Sequence, residues 1–216
     1  PMVIKEKQHE FYREIEHMYA SNNKRVILNQ EQQDIYDTIS TQMDSHQVFL
    51  IHGVTGSGKT ELYLNIIEDV LEKGQQAIML VPEISLTPMM VSRFKGRFED
   101  KVALLHSRLS IGEKYDEWRK IRRSEVQVVV GARSAIFAPF EHLGVIIIDE
   151  EHTDSYKQET SPTYHAKDVA IERAKYYNIP LILGSATPSV ESFYKAQHQE
   201  YVLLSIRNRA NQTILP

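Results

Sequence analysis

Hydrophobic residues in this chain form short unbroken runs that alternate with longer stretches carrying helical signals. The runs lie at 47–52, 77–81, 102–105, 126–130, 145–149, 181–184 and 201–206. Runs such as Ile146-Ile147-Ile148 lack polar alternation, which indicates strands that are covered on both faces. The stretches between them are about 10 to 15 residues long, and this order is typical of βαβ units. The pattern predicts an α/β fold with a mostly parallel central sheet and helices on both faces.

Two of the helix starts carry local signals of their own. Thr87 directly precedes Pro88, an arrangement favoured at the first turn of a helix. Ser110 is followed three residues later by Glu113, which is the spacing of a capping box. Both positions predict the beginning of a helix.

The start of the chain differs in character from the rest, because it is polar and mixed in charge. Three apolar residues at i, i+4 and i+7 predict one narrow amphipathic helix: Phe11, Ile15 and Met18. The predicted organisation is 1–27 as a flanking helix and linker, 28–206 as one domain, and 207–216 as the start of another linker. Because the first residue is proline and not methionine, we expect the chain to be a piece of a longer protein.

Composition excludes several classes of site. The chain has no cysteine among its 216 residues, so disulfides, thiolate zinc sites and cysteine nucleophiles are excluded. Its formal net charge of −4 gives no global attraction for nucleic acid, although a local basic groove stays compatible with it. No apolar run approaches the roughly 20 residues of a membrane span. His152 and the other histidines lack the HExxH pattern, so no transition-metal site is predicted.

A phosphate-binding loop follows the first buried run. Residues 53–60 read GVTGSGKT and lead into a helical stretch at 61–73. A glycine-rich turn of no special function would also fit here, but the full G-x-x-x-x-G-K-[ST] pattern between strand and helix favours a nucleotide site. The predicted ATP-binding residues are Gly53, Thr55, Gly56, Ser57, Gly58, Lys59 and Thr60. In this prediction Lys59 reaches the β- and γ-phosphates and Thr60 holds Mg²⁺.

Carboxylates end the most apolar run. Residues 144–152 read GVIIIDEEH, which places acidic side chains at the carboxyl end of a strand, where ligands of open α/β sheets bind. Acidic residues at a strand end are also common as solvated turn residues. The phosphate loop upstream favours a catalytic role for these carboxylates. Asp149 is the predicted Mg²⁺ ligand beside Thr60. Glu150 is the predicted base that orients and deprotonates water, so Lys59, Asp149 and Glu150 form the predicted catalytic set.

Taken together, these motifs resemble the motor core of superfamily 2 helicases, and within it the replication-restart helicases. The motifs that carry the resemblance read LVPEISLT at 80–87, VGARSAIFAP at 130–139, DEEH at 149–152 and GSATPS at 184–189. They stand in the order of that family, and the resemblance covers about residues 25–206. It implies a RecA-like P-loop NTPase domain with ATP and Mg²⁺ as cofactors.

The resemblance also implies roles that spacing does not give. Gln32 would read the adenine base, with a solvated helix face as the alternative. His152, Ser185 and Thr187 would couple the nucleotide site to DNA. A track for the DNA strand would include Pro82, Glu83, His106, Ser107, Gly131, Arg133, Ser134, Tyr156, Lys157 and Tyr164. The aromatic residues of this set suit base stacking, although aromatics in loops also serve as half-buried anchors. The basic run at 119–123 ends a predicted helix, where cations favour the helix dipole.

The activity that the resemblance implies is ATP-dependent 3′→5′ DNA unwinding in primosome assembly at stalled forks. Implied partners are single-stranded and forked DNA, single-strand binding protein and helicase-loading proteins, in the bacterial cytoplasm near the nucleoid, with no membrane. The resemblance implies that the whole family protein carries a second RecA-like lobe with an arginine finger, a zinc module and an N-terminal DNA-binding region, and we expect none of them in this chain. The lobe alone should therefore bind Mg·ATP and DNA weakly and hydrolyse poorly. Two alternatives stay open: a RecG-like branch-migrating translocase, and a nucleotide-gated docking module with incidental hydrolysis.

Overall fold

The computed structural model describes residues 26–208. The predicted flanking helix around Phe11, Ile15 and Met18 and most of the predicted linker at 207–216 lie outside this range. The strands are β1 (Val48–Gly53), β2 (Gln76–Leu80), β3 (Val102–Leu105), β4 (Val128–Gly131), β5 (Leu143–Ile148), β6 (Lys157–Gln158), β7 (Tyr164–His165), β8 (Leu181–Ser185) and β9 (Val202–Ile206). The helices are α1 (Gln30–Ser40), α2 (Lys59–Glu72), α3 (Pro88–Phe98), α4 (Ile111–Arg122), α5 (Ala166–Tyr177) and α6 (Val190–Gln197).

The main sheet is parallel throughout and has the strand order β3-β4-β2-β5-β8-β1-β9. All seven predicted strands belong to it, with ends that differ from the prediction by at most two residues. The short strands β6 and β7 form a separate antiparallel pair. Since parallel strands all end at the same edge, the loops that follow β1, β2, β3, β4, β5 and β8 meet there.

Helix starts follow the local signals in the sequence. Thr87 caps α3, with its side chain accepting a hydrogen bond from the Met90 backbone N–H at 3.3 Å. Ser110 and Glu113 form the capping box of α4, in which the Ser110 N–H donates to Glu113 Oε2 at 2.7 Å. Both predicted helix starts are therefore confirmed. None of the helices within residues 26–208 is long and apolar enough to cross a membrane.

Apolar side chains fill both faces of the sheet. Ile147 of β5 packs on one face, in a cluster with residues of α1, α2 and α3. Its neighbours Ile146 and Ile148 point to the other face, in a cluster that includes Ala170 and Ala174 of α5. This arrangement confirms the prediction of helices on both faces, and it explains why the β5 run has no polar alternation.

Candidate functional site

The loop between β1 and α2 has the backbone form of an anion cradle. Gly56 and Gly58 have φ values of 80° and 84°, in the left-handed region that glycine adopts without strain. Gly58 is the N-cap of α2, so the unpaired N–H groups of the first helical turn face the loop. A Cβ placed on Gly56 would meet nothing within 4 Å, so this side of the loop is open. The loop therefore presents N–H groups and a helix N-terminus to an open space.

Lys59 lies between the phosphate loop and the acidic box. Its Nζ donates to the Gly53 carbonyl at 2.6 Å and lies 4.0 Å from Glu150 Oε1. The residue is only 7% exposed, so its charge acts in a poorly solvated position. The ammonium group of Lys59 in α2 thus lies close to Gly53 of β1 and to Glu150, which follows β5.

Gln32 braces the phosphate loop from α1. Its Oε1 accepts the Asn29 N–H at 2.9 Å, which completes the capping box of α1. Its Nε2 donates to the Ser57 carbonyl at 3.0 Å. Because Gln32 is 4% exposed, a solvated helix face is excluded. Contact with adenine stays a prediction, although a primary amide keeps one further N–H and one lone pair for it.

Asp149 is a buried carboxylate with few partners. Tyr63 of α2 donates its hydroxyl to Asp149 Oδ1 at 3.2 Å. Burial, followed by the nearby charge of Glu150, raises the pKa of Asp149 from its ordinary 3.8 to about 6. An ionised carboxylate in this position is unfavourable unless a cation lies close, so its surroundings fit a divalent metal. Thr60, in the first turn of α2, is the other residue predicted to hold that metal.

Glu150 has a strained backbone, and its side chain lies between Lys59 and His152. Its φ of 48° lies in the left-handed region, which costs a non-glycine residue about 1–2 kcal/mol. The backbone on either side is fixed, because Asp149 N–H donates to the Leu80 carbonyl and Glu151 N–H donates to the Gly184 carbonyl. Such strain is typical of active sites whose surroundings hold one conformation.

The carboxyl end of β8 contacts the acidic box at His152. His152 Nδ1 lies 2.7 Å from Ser185 Oγ and 3.6 Å from Glu150 Oε2. Ser185 Oγ also accepts the Thr187 N–H at 3.0 Å, and Thr187 Oγ1 lies 3.5 Å from His152 Nε2. The structure therefore brings all three predicted coupling residues together next to Glu150. Their role in coupling stays a prediction.

Three of the residues predicted to line the DNA track are buried, and for Tyr156 the prediction of base stacking is wrong. Tyr156 is 1% exposed and its hydroxyl donates to the Asp149 carbonyl at 2.5 Å, so its ring packs inside and is not free to stack on a base. Pro82 and Gly131 are also buried, and their contact with DNA stays a prediction. A Cβ on Gly131 would lie 2.9 Å from Leu105, so this glycine allows close strand packing.

The other predicted track residues are exposed or half-buried along the carboxyl edge of the sheet: Glu83, His106, Ser107, Arg133, Ser134, Lys157 and Tyr164. Arg133 donates to the carbonyls of Ser155 and Lys157, and its guanidinium carbon lies 6.0 Å from the centre of the Tyr164 ring. Tyr164 in turn packs edge-on against Phe137 at 5.0 Å between ring centres. Arg133 therefore braces the loop at 153–165, while its contact with a DNA phosphate stays a prediction.

The basic run at 119–123 stabilises the C-terminal end of α4. Arg119, Lys120 and Arg122 lie in the last turn of α4, where positive charge offsets the helix dipole. Lys120 also pairs with Glu117 at 2.7 Å. These contacts favour the structural interpretation over a phosphate patch.

Sequence reasoning gave no role to several residues that shape the site. Tyr63 contacts Asp149 across 86 positions of sequence, and no local pattern signals that contact. Gly184 leaves the space that the Tyr63 hydroxyl occupies. Glu151 and Lys167 form a buried ion pair at 3.2 Å directly beside Glu150. Among these residues, Gly184 and Glu151 lie inside the motifs at 184–189 and 149–152, and this position is the sequence signal that marks them.

Comparison with known proteins gives a family match over most of the chain. The pattern of the DEAD/DEAH box helicases matches residues 29–195. Replication restart protein PriA of Bacillus subtilis (strain 168) is 58% identical over 217 residues, which cover 99% of this chain and 27% of the relative. The PriA of Synechocystis is 52% identical over 80% of this chain and 21% of its own length. The PriA of Haemophilus influenzae is 45% identical over 88% of this chain and 26% of its own length. The chain thus spans about a quarter of these curated relatives.

Solved structures with the same fold include DNA-bound proteins. RecG bound to a three-way DNA junction superposes with a TM-score of 0.63 at 24% identity, over 88% of this chain and 25% of that one. The helicase MrfA bound to DNA and AMPPNP gives a TM-score of 0.55 at 17% identity, over 84% of this chain and 27% of that one. At these identities the likeness concerns the fold alone. The expectation of a RecA-like α/β domain is confirmed.

Proposed function

The chain belongs to the DEAD/DEAH box helicase family, and on that premise we propose that it is the ATP-binding motor lobe of a DNA helicase acting in replication restart. Identities of 45–58% to replication restart proteins from several bacteria support this assignment. A RecG-like translocase has weaker support, because the RecG likeness is one of fold at 24% identity.

The position of Glu150 carries the proposal. Its carboxylate lies 4.0 Å from Lys59 Nζ on the phosphate-loop side and 3.6 Å from His152 Nδ1 on the side of Ser185. A base that activates water must lie next to the γ-phosphate, and a coupled motor must also connect that base to the DNA-binding side. These two distances support the assignment of both roles to Glu150.

The chemistry that we propose is attack of water on the γ-phosphate of ATP. The N–H groups of the loop at 53–60 bind phosphate oxygens, and Lys59 Nζ stabilises the charge that develops on them. Thr60 and Asp149 would hold Mg²⁺, which neutralises charge on the β- and γ-oxygens when bound. Glu150 orients the attacking water and accepts its proton on a carboxylate oxygen. Gln32 positions the loop and would select adenine.

The DNA-side functions belong to the same proposal. The exposed and half-buried residues along the sheet edge would contact phosphates through side-chain donors, which carry little sequence information. The 3′→5′ direction, the fork substrate, single-strand binding protein and helicase-loading partners all come from the family resemblance, as does a location near the bacterial nucleoid. The zinc module would belong to the rest of the family protein.

This lobe offers half of a hydrolysis site. In related NTPases an arginine supplied across the cleft accelerates hydrolysis by roughly 10³- to 10⁵-fold. In the family resemblance that arginine comes from a second lobe. We therefore expect the chain to bind Mg·ATP weakly and to turn over slowly.

Glu150→Gln tests the proposal through single-turnover ATP hydrolysis with the chain in excess over nucleotide. Loss of a general base should slow hydrolysis by roughly 10²- to 10⁴-fold, while Mg·ATP affinity changes little because the side chain keeps its size. Glu141→Gln, an exposed position before β5, is the matched control and should behave as wild type. Unchanged hydrolysis in Glu150→Gln, with intact binding of nucleotide and DNA, would favour the docking module instead.

A further inference from the structure

We propose that Glu151 and Lys167 form a positioning pair through which single-stranded DNA at the loop 153–165 controls the placement of Glu150. The inference deepens the proposed function and rests on it. It assigns a role to two buried charges that the hydrolysis chemistry itself does not use. We refer to these two residues, together with Ser189 and Ser192, as the Glu151 junction.

The carboxylate of Glu151 is fully engaged inside the protein. Lys167 Nζ lies 3.2 Å from its Oε2, and the residues are 2% and 6% exposed. The Ser189 N–H donates to Oε1 at 2.7 Å, and the hydroxyls of Ser189 and Ser192 donate to Oε2 at 3.1 and 2.9 Å. Lys167 also contacts Ser192 Oγ at 3.3 Å. A fully satisfied polar network of this kind fixes one geometry.

The junction connects the ends of three functional segments. Glu151 follows Glu150 directly, and its N–H donates to the Gly184 carbonyl at 3.0 Å. Lys167 lies in the first turn of α5, immediately after the loop at 153–165. Ser189 is the N-cap of α6, two residues after Thr187. A shift of the loop that carries the start of α5 with it therefore acts on Glu151.

The pair is better suited to positioning than to stability. Burying two charges has a desolvation cost that can exceed their attraction, so a buried ion pair is weak evidence for stabilisation. Glu150, by contrast, has a strained φ of 48° that needs support from both sides. Glu151 provides that support on its carboxyl side. Small movements of Lys167 would consequently change where the Glu150 carboxylate points.

The loop itself is attached to the site at separate points. Tyr156 anchors its first part to the Asp149 carbonyl, and Arg133 holds Ser155 and Lys157. Its last part, at Tyr164, leads without a break into α5 and Lys167. DNA that contacts the exposed Lys157 or the half-buried Tyr164 would therefore shift the loop. That shift would be transmitted to the acidic box through the Glu151 junction as well as through Tyr156.

The test is the thermodynamic coupling between nucleotide and DNA in this chain. The affinity for a non-hydrolysable ATP analogue with Mg²⁺ is measured with and without a saturating thymidine oligonucleotide. We expect DNA to change that affinity by about fivefold or more in wild type, in the range of ordinary allosteric coupling. Lys167→Met should reduce the change to less than about twofold while nucleotide affinity without DNA stays within about threefold. Lys167→Arg, which keeps the charge and its donors, should restore the coupling.

Matched variants separate positioning from folding. Lys175→Met changes an exposed lysine of the same helix, paired with Glu172 at 2.8 Å, and should keep wild-type coupling. If Lys167→Met unfolds because it leaves an uncompensated buried charge, the double variant Glu151→Gln with Lys167→Met removes both charges and is measured in its place. A purely structural role would lower thermal stability in these variants and leave the coupling intact.

The coupling measured in wild type and in the Lys167 variants decides whether the inference holds. Coupling that survives in Lys167→Met or in the double variant overturns the inference, and so does a wild-type chain that binds nucleotide and DNA independently of each other. Failure of wild type to bind nucleotide at all overturns the proposed function and the inference with it. Loss of coupling that Lys167→Arg restores supports both.

Discussion

At Asp149 the fold keeps a carboxylate where its charge is poorly solvated. With a pKa of about 6 in place of 3.8, the ionised form costs the folded chain roughly 3 kcal/mol at neutral pH. The charge of Lys59 and the hydroxyl of Tyr63 offset part of this cost. Burial raises the pKa of Tyr63 well above its usual value, so that its hydroxyl stays a donor. The site thus stores an unfavourable charge that a bound cation would relieve.

Asp149→Asn should stabilise the chain in buffer free of nucleotide and metal. Because the folded-state pKa of Asp149 is raised, the protonated form is favoured in the folded state, and the associated stability is present below about pH 3.8 and lost as pH rises through about 6. The free energy of unfolding of wild type should therefore fall relative to Asp149→Asn across this window and then level off. Urea unfolding at several pH values measures it, with the exposed Asp44→Asn as control. A constant difference between the two chains would contradict the pKa shift.

Gln32 combines a contact with the phosphate loop and a predicted contact with adenine. Its two hydrogen bonds brace the phosphate loop, and its remaining donor and acceptor suit the edge of adenine. We expect Gln32→Ala to weaken ATP binding more than GTP binding, so that the preference for ATP falls. Competition titrations with both nucleotides measure this ratio. Equal losses for ATP and GTP would mean that Gln32 braces the loop and reads no base.

Individual residues also show where sequence reasoning ends. The motif at 53–60 and the acidic box at 149–152 drew attention to side chains that lie together in the structure, because the chemistry of such motifs is tied to local spacing. Tyr156 was misassigned, since a tyrosine in a polar loop has the same local sequence whether its ring faces solvent or the core. The partnership of Tyr63 with Asp149 depends on how α2 packs on β5, which no pattern within either segment encodes.

Among the elements, β8 packs closely against Tyr63 and Asp149 at Gly184. A Cβ on Gly184 would lie 1.7 Å from the Tyr63 hydroxyl and 3.2 Å from Asp149 Oδ1. Glycine is therefore required where β8 passes between α2 and the end of β5. This requirement is steric, since its φ is not in the left-handed region.

Gly184→Ala should displace Tyr63 and Asp149 together. We expect a loss of stability of about 1–3 kcal/mol from overpacking, and a parallel loss of Mg-dependent nucleotide binding. Adding Tyr63→Phe removes the atom nearest to the new methyl group and should restore part of the stability. Thermal unfolding of the single and double variants measures this. Equal destabilisation with and without Tyr63→Phe would contradict the steric explanation.

The sequence predicted the elements of the main sheet well because buried parallel strands leave continuous apolar runs. Helix starts at Thr87 and Ser110 were predictable because caps are local. The short strands β6 and β7 were missed, since two residues are too few to show any alternation. Strand order was not predictable from these runs either, because it depends on which strands pair and not on where they begin.

At the scale of the whole molecule, the parallel sheet collects its loops at one edge. Several segments lie at the carboxyl ends of strands: the phosphate loop, the acidic box, Ser185 and the loops that carry the predicted DNA contacts. This arrangement brings residues that are far apart in sequence to one edge of the sheet. The chain corresponds to about a quarter of its curated relatives. In the function that we propose, this lobe binds the nucleotide and positions the base, and full turnover requires a cationic group from elsewhere.

The most direct test of the account is titration of Mg·ATP into this chain and into two lysine variants. Lys59→Ala removes the ammonium group between the phosphate loop and Glu150, and should weaken binding roughly 10- to 100-fold. Lys73→Ala, at the other end of α2 in a surface pair with Asp44, should bind as wild type. Equal affinity of wild type and Lys59→Ala would contradict the assignment of a nucleotide site to this loop.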